Sequence, residues 1–126
     1  METTSEGSRA TEDSFAKLFE RIADSALLVD IDSGYIIEAN AAARRLLGYG
    51  REDLGRVRAS DIHPHEIPAF ERFVEQVLAH GTWEQEGLSC RTREGVFVPA
   101  RVRATDIHVF GRRCVLVVVH DLRTER

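Results

Sequence analysis

Apolar residues change their spacing twice along this chain, and each change marks a new kind of element. Phe15, Leu18, Phe19 and Ile22 recur at i, i+3, i+4 and i+7, which predicts a helix with one apolar face, capped by Asp13 or Ser14. Ala26 to Ile31 is then a continuous apolar run of strand length, broken only by Asp30. Asp32-Ser33-Gly34 supplies a turn, because Asp and Ser bond back to nearby amides and Gly accepts positive φ. Tyr35 to Glu38 is aromatic and β-branched, so the two runs read as a hairpin.

Helical spacing returns after Ala39. Asn40 sits where strand gives way to helix, and its side chain suits an N-cap. Ala41 to Leu47 favours helix on intrinsic propensity, and Gly48 is placed to end it. Arg51 to Leu54 fits one helical turn closed by Gly55, and Val57 to Pro64 reads as irregular or as one short turn. A longer helix is predicted from about Glu66 to His80, with Ile67, Phe70, Val74, Val77 and Leu78 as its apolar face. Pro68 is tolerated because it falls in the first turn, where a missing N–H costs nothing.

From Trp83 onward the period becomes two. Trp83 to Arg91 reads as a strand, with Gly87 as a bulge or a close-approach site. Thr92-Arg93-Glu94-Gly95 is a hairpin turn. Val96 to Ile107 alternates, with Val98, Ala100, Val102 and Ala104 on one face and Arg101, Arg103 and Thr105 on the other. His108 to Gly111 turns the chain again. Cys114 to Val119 is an unbroken apolar run, as expected of a central strand covered on both faces. Helix, two strands, three helical pieces and three strands make an α+β arrangement with an antiparallel sheet and its helices on one side.

Composition narrows the function classes. The 126 residues suffice for one domain with a real core. With 17 basic and 21 acidic residues the net charge is −4, and no basic stripe carries interleaved aromatics, which argues against a nucleic-acid partner. No apolar run approaches the ~20 residues of a membrane span. Met1 to Asp13 is polar, without a secretory core, and reads as a disordered lead-in to a cytoplasmic protein. Cys90 and Cys114 fall in predicted strands and read as free buried thiols.

The string from Asp32 to Tyr49, the Leu54-Gly55 after it, and the tail from Gly95 to Asp121 together resemble a PAS domain with its C-terminal PAC-type strands. The resemblance covers about residues 14–123, with 124–126 as the start of a linker. It implies a five-stranded antiparallel sheet in the order 2-1-5-4-3, with helices and, in many members, a ligand pocket on one face. It also implies a sensory role, in which a ligand, cofactor or partner is read and passed to a tethered effector such as a kinase, cyclase, cyclic-di-GMP enzyme or transcription activator. Homodimerisation through the N-terminal helix would use Phe15, Leu18, Phe19 and Ile22; the competing expectation is that this stripe packs only on its own sheet. The last strand of the family commonly ends in an Asp-hydrophobic-Thr motif. Asp121-Leu122 match it and make Asp121 the expected signal junction, whereas Arg123 stands where Thr is usual. The chain stops where a coiled-coil linker would begin, so a sensor domain from a larger protein is expected.

Specific chemistries can be weighed on the same residues. Light-oxygen-voltage members use an Asn-Cys-Arg-Phe-Leu-Gln type motif; this chain has Gly55-Arg56-Val57-Arg58-Ala59-Ser60, which argues against covalent flavin. Haem-binding members place a histidine inside the long helix, where this chain has Phe70 to Phe73, so haem is not expected either. His63, His65 and Glu66 are residue types that zinc accepts, and are weak metal candidates flanking a stiff Pro64. No phosphate loop, catalytic triad or paired carboxylate is present, so no enzymatic activity is expected of this segment. Ligand identity is open. A pocket between the long helix and the sheet would take its apolar wall from Ile62, Phe70, Val74, Val98, Ala100 and Val102. Its polar groups would come from His65, Gln85 and Ser89. The favoured function is a sensory domain for a small organic ligand. A dimerisation module with a filled core and a haem or flavin redox sensor are the alternatives.

Overall fold

The six-residue apolar run forms the middle of the sheet. In a computed structural model describing residues 14–62, 67–109 and 111–124, β5 (Arg112–Asp121) pairs antiparallel with both β1 (Ser25–Asp30) and β4 (Phe97–Val109). The outer strands are β2 (Ile36–Ala39) beside β1 and β3 (Thr82–Arg91) beside β4, which gives the order β2-β1-β5-β4-β3. The polar lead-in at 1–13 and the linker start at 125–126 lie outside the described residues.

Among the described residues, five α-helices accompany the sheet: α1 over residues 14–21, α2 (Ala41–Leu47), α3 (Arg51–Leu54), α4 (Ala59–Ile62) and α5 (Ile67–His80). A 3-10 turn over Leu122–Thr124 follows β5. The main core joins α2 to α5 with one sheet face, through Leu47, Leu54, Ile62, Phe73 and Val77 against Leu27, Leu88 and Val102. On the opposite face Phe19 of α1 covers Ala26, Leu28 and Cys114. Cys90 belongs to the first cluster and Cys114 to the second, so the sheet itself separates the two free thiols. Burial pushes the Cys114 thiol pKa upward.

Asn40 joins these layers. Its Oδ1 accepts from the amide of Ala43 at 2.9 Å, the expected N-cap, and also from the amide of Ala26 at 3.0 Å. Its Nδ2 shares its hydrogens among the carbonyls of Phe19, Ile22 and Asp24 at 3.3, 3.0 and 3.0 Å. One buried side chain thus starts α2 and fixes the link from α1 into β1.

Three expectations are corrected. The buried face of α5 is Phe73 and Val77 flanked by Phe70 and Val74, whereas Leu78 is 42% exposed. Phe70, Phe73, Val74 and Val77 are themselves spaced i, i+3, i+4, i+7, so the helix rotates to bury the fuller set. β4 runs two residues past Ile107 to Val109, because Ile107, His108 and Val109 pair with Cys114, Arg113 and Arg112. β3 bulges at Gly87 as predicted, with φ +90°, but the bulge reverses the side-chain alternation beyond it. Before it, Gln85 shares the inner face with Val102; after it, Leu88 and Cys90 point inward and Ser89 pairs with Pro99 on the outside.

Candidate ligand cavity and chain exit

The small and β-branched residues of the inner sheet face do not fill the space beneath α5. A cavity of about 330 Å³ remains there. Leu27 and Val29 of β1 and Val115, Val117 and Val119 of β5 form its floor. Phe70, Phe73, Val74 and Val77 of α5 form its roof, and Ile62, Leu88 and Val102 close its side.

The polar groups gather at one end. Asp30 and Ser33 come from the β1–β2 turn, and Arg58 and Ser60 from the link between α3 and α4. Backbone pairing brings these two segments together. Tyr35 bridges Arg58, the Ile36 amide donates to the Val57 carbonyl at 3.1 Å, and the Ala59 amide donates to Gly34 at 2.9 Å. Exposed Ser33 and Arg58 mark the end of the cavity that meets solvent. The Arg58 guanidinium lies 4.9 Å from the centre of the Tyr35 ring.

The candidate residues divide as follows. Ile62, Phe70, Val74 and Val102 line the cavity. Val98 and Ala100 are fully buried on the same strand but do not line it, since they lie beyond Val102 toward the Thr92–Gly95 turn. Gln85 also stays outside; its Oε1 accepts from the indole N–H of Trp83 at 3.4 Å. Ser89 is removed by the Gly87 bulge. His63, His65 and Glu66 lie outside the described residues. The contributions of β1, β5 and the Arg58–Ser60 segment were absent from the sequence reading.

The side chains that reach the cavity limit its chemistry. Among the described residues no histidine or cysteine lines it, so none offers an axial haem ligand or a flavin-reactive thiol. His80 instead stacks on Trp83 at 5.3 Å. No group of three His, Cys, Asp or Glu among the described residues is placed to hold a metal ion.

Two further regions were expected to carry contacts beyond the cavity. In α1, Phe19 is buried against the chain's own sheet, Phe15 and Ile22 pack partly beside it, and Leu18 is 70% exposed. At the end of β5, Asp121 accepts from the Arg123 amide at 2.9 Å, and its carboxylate takes the guanidinium through Nε and Nη2 at 3.1 and 3.0 Å. The Arg123 guanidinium holds the Asp121 carboxyl below the usual carboxylate range. Arg123, placed where Thr is usual, thus closes the turn leaving the sheet.

The family profile described as PAS domain matches residues 24–124, and the chain belongs to that family. Solved structures share the fold. A PAS domain from Colwellia psychrerythraea is 21% identical with a TM-score of 0.76, covering 90% of this chain and 98% of its own. One from a two-component sensor histidine kinase is 19% identical with a TM-score of 0.73, covering 90% and 98%. One from a LuxR-family transcriptional regulator of Burkholderia thailandensis, solved in complex with ethanol, is 16% identical with a TM-score of 0.70, covering 87% and 98%. At these identities the likeness is one of fold. No protein of curated function matches the chain. No helix among the described residues is long and apolar enough to cross a membrane.

Proposed function

We propose that this PAS domain is a sensory module that binds a small, mainly apolar organic molecule and passes its occupancy through β5 to a tethered effector. The carrying observation is the cavity of about 330 Å³ beneath α5, a volume within the range of small-molecule sites. Three residues of its floor belong to β5, and that strand ends two residues after Val119, at the Asp121–Arg123 turn. A ligand pressing on Val115, Val117 or Val119 therefore acts on the strand that leads out of the domain. The void weighs against an interaction module with a filled core. The effector would be a kinase, cyclase, cyclic-di-GMP enzyme or transcription activator; a sensor histidine kinase and a LuxR-family regulator are among the proteins that carry a domain of this fold.

Mass spectrometry of molecules released from the purified domain, together with thermal melting against a panel of small organic compounds, tests the reading. A released compound that raises the melting temperature on re-addition is expected. An empty domain whose melting no compound shifts overturns it. The exposure of Leu18 favours a compatible second reading, self-association through α1. Light scattering that gives a strict monomer at all concentrations removes it.

A further inference from the structure

The polar end of the cavity is not electrically uniform. Asp30 is already satisfied: its Oδ1 accepts from the amides of Asp32 and Ser33 at 2.8 and 3.3 Å, and its Oδ2 pairs with Arg112 at 3.1 Å. The Ser33 hydroxyl accepts from the Tyr35 amide at 3.2 Å. Asp61 does not line the cavity, and its carboxylate is turned onto the Arg58 backbone amide at 3.1 Å. The Arg58 guanidinium is held against the Tyr35 ring, and among the described residues no carboxylate pairs with it. The half-buried Ser60 adds a hydroxyl to the same end of the cavity. Among the described residues, the apolar chamber therefore ends in one cation without a carboxylate partner and in the Ser33 and Ser60 hydroxyls, while the Asp30 oxygens beside them are in use.

We propose that the cavity takes an apolar monocarboxylic acid, with its hydrocarbon body under α5 and its carboxylate at Arg58 and Ser60. The inference rests on the ligand-binding reading above and adds the ligand class to it. About 330 Å³ holds roughly ten groups the size of a water, which suits a chain or ring of that many heavy atoms. A guanidinium presents paired N–H donors matched to a carboxylate, and its charge strengthens those bonds. A single negative charge fits the site better than a doubly charged phosphate, which would meet the Asp30 carboxylate with only one free cation to offset it. An ammonium head would face that cation directly.

Octanoate, octanol and octylammonium share a hydrocarbon body and differ in the head, so they separate the two levels of the reading. Melting shifts and titration calorimetry on the purified domain are expected to rank octanoate first. Its affinity should exceed that of octanol by roughly five- to tenfold, a modest factor because Arg58 is exposed. Arg58→Gln should abolish that preference while leaving the ligand-free melting temperature and octanol binding nearly unchanged. Ser60→Ala should lower octanoate affinity by a smaller factor. Octanol binding as well as octanoate, or Arg58→Gln keeping the preference, overturns the carboxylate assignment and leaves the cavity intact as a site. Failure of all three probes to shift melting overturns the cavity reading itself.

Discussion

The Asn40 side-chain amide donates to the Asp24 carbonyl at 3.0 Å, and the Asp24 carboxylate in turn lies 3.2 Å from Nδ1 of His120 near the end of β5. The start of α2, the link from α1 into the sheet, and the exit strand therefore meet around one residue. Because Asn40 is 0% exposed, water does not replace its bonds when they are lost. Asn40→Ala should cost about 3 kcal/mol, more than an exposed cap, since it strands buried carbonyls as well as helix amides. Asn40→Asp is the sharper test. It keeps the cap acceptor but loses the donors and buries a charge, so urea denaturation should find it comparably damaged. A nearly wild-type Asn40→Asp would mean that only the cap matters.

Gly87 sets which residues of β3 face inward. Its φ of +90° disfavours any L side chain, yet a Cβ there would meet no atom within 4 Å. Gly87→Ala should therefore cost about 1 kcal/mol from backbone strain alone, without steric clash. Equilibrium unfolding checks the magnitude. A cost several times larger would show that β3 has shifted its register to escape the strain.

How much of this was legible depends on what kind of signal each feature leaves. The Asp32-to-Gly48 segment was readable because its turn, cap and helix stop are local, and Asn40 does bond the Ala43 amide. β4 was readable because strict alternation survives along it: Val98, Ala100, Val102 and Ala104 are all buried. Ser89 was misplaced although Gly87 had been read as a bulge, because the change of face beyond a bulge was not carried through to the next residues. Phe73 and Leu78 both continue the helical stripe of Phe70, Val74 and Val77, one on each side of it, so spacing alone does not say that Phe73 is the buried one, at 3% exposure. Val29 and Val117 were missed because continuous apolar runs do not say which residues face a cavity. Arg58 and Ser60 reach it through the backbone pairing of residues 34–36 with 57–59, a contact between distant segments with no local signature.

Val117 sits on β5 opposite Leu27 on one side and Ala104 on the other, and its side chain lines the cavity floor. Val117→Phe should place a ring in existing space. Stability should change by less than about 1.5 kcal/mol, or rise, because the added carbons gain contacts rather than displace packed neighbours. Compounds that raise the wild-type melting temperature should no longer do so. A fully retained melting shift in a folded Val117→Phe protein would place the ligand elsewhere.

Acid should weaken the domain through two surface pairs of defined geometry. Asp106 accepts from Arg113 Nε at 3.1 Å and Nη2 at 2.7 Å, and Asp121 is held by Arg123 in the same two-pronged way. In each case the arginine hydrogen bond holds the carboxyl below the usual range, against a smaller upward push from burial. A depressed folded-state pKa means that the unfolded chain binds protons first. The stabilisation is therefore complete above the unfolded value of about 4 and drains away as pH falls through the folded one. Both arginines are about half exposed, so the contribution is modest and screened by salt. Asp106→Asn and Asp121→Asn should each be somewhat less stable than wild type at neutral pH, with the gap closing as pH falls well below about 4. Thermal unfolding across that range decides the point. A gap that stays constant with pH would mean the two carboxylates act through packing or turn geometry rather than through their charge.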